Sequence, residues 1–214
     1  SKPWIVFALG YLSLVVPAAA FAWEPSKPVE IIVAAGAGGA SDQMARMMQA
    51  AIQKNNLMKQ PMVVSLKGGA SGAEALMDMT SSAGDPHKVL IAYSLIYILP
   101  LSAKIPFNWR DLTPVSVIAY DQFLLWDNTT LPHKNVKEFI AAAKGANPPF
   151  KMGGTGSKRE DHVLTVFLEK KTGAKFAYLP YKSGGEAATQ LVGNHIQSNV
   201  NNPSENLEVW RAGQ

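Results

Sequence analysis

The chain has 214 residues, 47% of them hydrophobic and 17% charged, with 20 Lys and Arg against 16 Asp and Glu for a formal net charge of +4. That balance fits a globular protein of one large domain or two small ones, and the absence of any cysteine excludes a disulfide framework, thiolate metal sites and a thiol nucleophile. The basic residues are scattered, with no stripe and no interleaved aromatics, so no nucleic-acid partner is expected.

The first 22 residues read as a segment apart. Lys2 precedes an apolar run over 4–16, followed by Pro17 and a small-residue ending at Ala20, Phe21 and Ala22. This is the order of a secretory leader cut after Ala22. This 13-residue run falls short of the roughly 20 residues that span a bilayer. Removing the leader would take only the charge of Lys2 and leave +3, and a cysteine-free chain is at ease in an oxidising periplasm.

Residues 29–34 predict a strand that breaks into a loop at Gly36, Gly38 and Gly39 and opens into a helix. On that helix Met44, Met47, Met48, Ala51 and Ile52 share a face at i, i+3, i+4, i+7 and i+8, with Ser41 as the expected cap. The first turn of such a helix has amide donors without partners and a positive dipole end, which together attract an anion. A dinucleotide fingerprint fails on detail. It needs glycine where Ser41 stands, and the second strand ends Ser65-Leu66-Lys67 without the ribose-binding acid. Asp42 and Arg46, at i and i+4, predict a surface pair.

The strand, glycine loop and helix unit then recurs. Residues 62–66 lead through Gly68, Gly69 and Gly72 into a helix near 73–82, and 89–92 form a third strand ending at Tyr93 and Ser94. Such alternation predicts parallel sheets covered by helices, with ligands at the carboxyl ends of the strands. From 95 to 128 the chain carries Pro100, Pro106 and Pro114 and no helical period, which reads as a crossover between two lobes. Asn135 with Glu138 predicts a capping box, with Val136, Phe139, Ile140 and Ala143 facing inward. A second set follows: strand 150–153, loop GGTGSKRED and helix 163–171, then strand 176–179, loop PYKSGGE and a helix burying Ala187, Ala188, Leu191 and Val192. Strand 196–200 and a helix containing Leu207 and Trp210 close the chain.

Ser157 with Glu160 and Ser183 with Glu186 also match the capping box. Lys158 and Arg159 oppose the helix dipole there, which costs a few tenths of a kcal/mol unless an anion is near. Catalytic patterns are thin. His87, His133, His162 and His195 lack metal-site spacing and read as surface or turn residues. No nucleophile elbow is present around Ser71 or Ser157.

Together these segments resemble the periplasmic solute-binding receptors of tripartite tricarboxylate transporters, the Bug receptor family. The marks, in order across 23–213, are PSKPVEIIV, GGASDQMAR, GASGAEAL, NWRDLTPVSVI, GTGS at 154–157, LPYKSGGEA at 179–187 and WRAG. The resemblance implies an α/β, two-lobed type II periplasmic binding protein fold, C-terminally truncated. Its parts would be a leader at 1–22, a first lobe at 23–120 lacking its return segment, and an incomplete second lobe at 121–214. It further implies that backbone amides of Ala37, Gly38, Gly39 and Ser41 hold a ligand carboxylate. Ser94, the loop of Thr155, Gly156 and Ser157, and the loop of Tyr181, Lys182 and Ser183 would complete the clamp.

The chain departs from the family at Ala34, Ala35 and Ala37, where relatives carry proline and phenylalanine, and at Gln197, where an aspartate is usual. Lys158 and Arg159 are more basic than usual and suggest a di- or tricarboxylic or an aromatic acid. The implied role is a periplasmic receptor delivering that acid to integral membrane subunits of the transporter. It would act as a monomer, with no cofactor, no metal and no catalytic residue, and the 214-residue chain would bind poorly for want of a second hinge strand. Two alternatives remain open at this point: an enzyme acting on a small carboxylic acid through Tyr181, Lys182 or His162, and a receptor serving a sensor.

Overall fold

A computed structural model describes residues 23–214; the expected leader lies outside the described residues. In chain order the elements are β1 (Val29–Val33), α1 (Ala40–Lys54), β2 (Met62–Leu66), α2 (Ala73–Ser81), β3 (Lys88–Leu90) and α3 (Leu95–Ala103). They continue with β4 (Leu124–Asp127), α4 (Val136–Gly145), β5 (Phe150–Thr155), α5 (Glu160–Thr172), β6 (Phe176–Tyr181), α6 (Gly184–Val192), β7 (Ser198–Asn201) and α7 (Pro203–Arg211). The strands form two sheets. The first is β2-β1-β3, wholly parallel, and the second is β4-β7-β5-β6, parallel except where β4 runs against β7.

Strand β1 is apolar at nearly every position because helices cover both of its faces, as parallel strands require. Ile32 and Ala34 pack with Leu76 of α2 and with Leu95 and Leu99 of α3, whereas Ile31, Val33 and Ala35 pack against Ala45 of α1 and Met62. In the second sheet Met152 and Val200 pack with Phe139 of α4, and Phe150 and Phe176 close around that ring. Strands β1, β5 and β6 each point their carboxyl end at a helix start, so the loops after them gather free amides in one region.

Several expectations are corrected. The α1 cap is Gly39, and Ser41 lies inside the first turn. The inward face of α1 is Ala45, Met48 and Ile52, with Met47 72% exposed. The period is readable in the sequence, but Met and Ala residues ring this helix, so its phase is not. Asp42 does pair with Arg46, at 2.8 Å, yet Asp42 is buried and its other oxygen accepts the Gly38 amide. The α5 cap is Arg159, not Ser157. At Asn135 and Ser183 half of the predicted box forms: each cap oxygen accepts the amide of the glutamate three residues on, but the glutamate carboxylate returns to the amide one residue before the cap, that of Lys134 or Lys182. Residues expected to be irregular contain α3, a helix with Pro100 inside it, and the strand β4. Between these elements, residues 113–122 run without regular structure, and Val115, Val117 and Tyr120 are largely exposed.

Candidate functional site

The loop after β1 is laid against the second sheet's loops. The Gly36 amide donates to the Lys182 carbonyl at 2.8 Å, and the Ser183 hydroxyl donates to the Ala37 carbonyl at 2.8 Å. At the start of α1 the Gly38 amide donates to Asp42 at 2.9 Å and the Ala40 amide to the carboxylate of Glu205, on α7, at 2.8 Å. The amides of Ala37, Gly39 and Ser41 make no hydrogen bond among the described residues. They are the amides of this loop without a partner inside the chain's described residues.

The loop after β5 reaches the same seam through other partners. The Gly156 amide donates to the Tyr181 carbonyl at 2.8 Å, which joins the β5 and β6 loops, and the Ser157 amide donates to the Ser71 hydroxyl at 3.2 Å, which reaches the first sheet. Ser71 and its neighbour Ala70 both adopt left-handed backbone, with φ of 57° and 50°. That conformation costs a side-chain-bearing residue roughly 1–3 kcal/mol. In return Ser71 turns its hydroxyl and its carbonyl toward the second sheet.

Arg159 is the bridge. It is 3% exposed and donates to the Ala34 carbonyl at 3.0 Å, to the Ser71 carbonyl at 3.4 Å, to the Tyr93 hydroxyl and to Glu160 at 3.3 Å. Glu160 in turn accepts the Ser94 hydroxyl at 2.9 Å. Burial works against the guanidinium charge, but Tyr93, Glu160 and Asp161 outweigh it, so the pKa of Arg159 is raised. Asp161 accepts the Thr155 amide at 2.5 Å. Burial first, then repulsion from Glu205 and Glu160, lift the Asp161 carboxyl to about 7 against that hydrogen bond. Burial and the Asp121 carboxylate likewise raise Glu205.

The seam therefore brings together all the sequence-predicted residues: Ala37, Gly38, Gly39 and Ser41 on one side, Thr155, Gly156, Ser157, Tyr181, Lys182 and Ser183 on the other, with Ser94 behind Glu160. Many of them meet one another directly. Lys158 and the side chain of Lys182 are exposed, and Arg159 is fully engaged within the chain. The sequence pattern did not assign Ser71, Tyr93, Asp161 or Glu205 to this seam. The one available signal was Asn202-Pro203 with Glu205, which forms a capping box at the start of α7.

The histidines have other duties. His87 lies in a turn, as expected, but is buried there, held between Asp85 and Ser26, and His133, in the loop before α4, bonds Asp127 at 2.9 Å while packing on Phe139. His162 stacks on Tyr178 and accepts the Lys158 amide. Among the described residues no cluster of three or more His, Asp or Glu is placed to hold a metal ion.

Comparison with known proteins gives this arrangement a context. A sequence profile of the tripartite tricarboxylate transporter family receptor matches residues 44–214. The chain is similar to the protein BugT of Bordetella pertussis, at 32% identity over 196 residues, covering 88% of this chain and 59% of that protein. A structure described as a periplasmic transporter aligns with a TM-score of 0.76 at 27% identity, over 88% of this chain and 64% of its own. MatC from Rhodopseudomonas palustris with bound malate shares the fold, with a TM-score of 0.77 at 21% identity, over 88% of this chain and 65% of its own. The chain spans somewhat more than half the length of the curated relatives it matches. The matched profile and the shared α/β fold together establish that the chain belongs to the receptor family of the tripartite tricarboxylate transporters.

Proposed function

We propose that this protein is a periplasmic receptor that captures a small organic acid between its two lobes and passes it to the membrane subunits of a tripartite transporter. The observation that carries the reading is the meeting of three helix starts, those of α1, α5 and α6, at one seam, with the Ala37, Gly39 and Ser41 amides still open. A carboxylate accepting those amides gains charge-assisted hydrogen bonds and the favourable end of the α1 dipole. Closure then follows from contacts that the ligand makes to both lobes only in the closed form. Periplasmic residence accords with the family's receptors and with a cysteine-free chain.

The ligand's size and charge follow from what surrounds these amides. Arg159 is satisfied by Ala34, Ser71, Tyr93 and Glu160, so it does not stand ready for a second or third ligand carboxylate. A compact acid with one carboxylate on the α1 amides suits the site better than a tricarboxylate. Malate, the acid in the MatC structure, is a natural first probe, with citrate and benzoate as contrasts. A thermal-shift screen of the full-length protein tests this, since a ligand at a hundredfold excess over its Kd stabilises by about 2.7 kcal/mol. A compact mono- or dicarboxylate is expected to raise the Tm by several degrees and citrate by less. The absence of a shift with every acid would contradict the reading.

A further inference from the structure

Glu205 belongs to the second sheet's last helix, yet one of its oxygens accepts the Ala40 amide at the start of α1, at 2.8 Å, while the other accepts the Asn202 amide at 2.9 Å. One carboxylate thus ties α7 to α1 across the seam. Its seat fits a bare carboxylate. A Cβ on Gly184 would collide with the Glu205 carboxyl group, and a Cβ on Gly39 would lie 3.5 Å from its oxygen. Glycine at position 184 lets the carboxylate lie directly on the backbone of α6. Because the α1 start is where an acid ligand would take its hydrogen bonds, a second carboxylate meets a like charge there.

We propose that Glu205 is a built-in latch: its carboxylate stands in for the ligand's at the α1 start, holds the lobes together in the ligand-free protein, and is displaced or opposed when an acid enters. The latch rests on the acid-binding reading for its ligand but not for its closure. It sets a selection rule. An acid on the open Ala37, Gly39 and Ser41 amides must make contacts that exceed the repulsion from a carboxylate tethered beside them on the Ala40 amide, so weakly held anions are rejected.

Two variants test the latch by different means. Glu205→Gln keeps a residue suited to the α7 capping box, but its single carbonyl oxygen serves only one of the Asn202 and Ala40 amides and carries no charge. Gly184→Ala keeps the carboxylate and pushes it from its seat. The chain has no cysteine, so spin labels at Met47→Cys on α1 and Phe167→Cys on α5, both exposed, report the distance between the lobes without competing sites. Both variants are expected to lengthen the ligand-free distance distribution and to bind malate about tenfold more tightly, or about 1.4 kcal/mol. Unchanged distances in both folded variants would overturn the latch, as would malate binding no tighter than in the wild type where the wild type binds. Longer distances with no acid bound by any of the three proteins would uphold the latch and overturn the acid-binding reading instead.

Discussion

Replacing Arg159 with methionine is expected to lower the free energy of unfolding by about 3–5 kcal/mol, because it leaves the Glu160 carboxylate buried without its partner. Both groups are at most 7% exposed. The guanidinium also satisfies the Ala34 and Ser71 carbonyls and the Tyr93 hydroxyl, so every one of these acceptors loses a donor at once. Arg159→Lys is expected to recover little of the loss, since a single ammonium cannot reproduce a fork that serves several acceptors in different directions. The double change Arg159→Met with Glu160→Gln is expected to recover part of it. No uncompensated charge then remains, while the amide oxygen introduced at position 160 still accepts from Ser94. Chemical denaturation of the three variants measures these differences. A free energy of unfolding for Arg159→Met within about 1 kcal/mol of the wild type would show that the bridge is dispensable.

The second large effect is on pH. In the unfolded chain Asp161 titrates near its ordinary value of 3.8, and in the folded protein near 7. A raised acid favours the folded state when protonated, so between these values the native protein binds more protons than the unfolded one and stability falls as pH rises. The contribution is complete below about pH 4 and lost above about pH 7. The difference corresponds to up to about 4 kcal/mol, and the raised Glu205 and Asp121 act in the same direction. The protein is therefore expected to unfold at a higher temperature at about pH 5 than at about pH 8. Asp161→Asn, which retains an acceptor for the Thr155 amide, is expected to flatten much of that slope and to match or exceed the wild type at the alkaline end. An identical slope in the variant would refute the assignment to Asp161.

How far the sequence reaches is clear from particular residues. The strand at 29–34, the glycine loop and the α1 period are legible because local pattern dictates them, and so are the helix caps at Asn135 and Ser183. Helix α3 is hidden by its composition. Pro100 sits inside it, and its apolar residues point both inward, as Leu95 and Leu99 do, and outward, as Leu101 does at 86% exposure. Strand β4 has a single partner, β7, and leaves Leu124 largely open, so no clean alternation marks it.

The site divides in the same way. Loop amides are a local property and can be located from glycine and helix starts. The groups that meet them are not: the Ala40 amide finds Glu205 across 165 residues, and Arg159 finds Ala34 across 125. Nothing in spacing or period connects positions so far apart. The preference for multiply charged acids inferred from Lys158 and Arg159 changes for that reason, since Arg159 proves to bind its own chain.

The central claim is that an acid lies between amides of both lobes. Titrating the isotope-labelled protein with malate while following assigned backbone amide resonances tests it most directly. Saturable shifts are expected at Ala37, Gly39 and Ser41 together with shifts in the loop of Thr155, Gly156 and Ser157, all fitting one Kd. Shifts confined to one of these loops, or scattered over the surface without saturation, would contradict it.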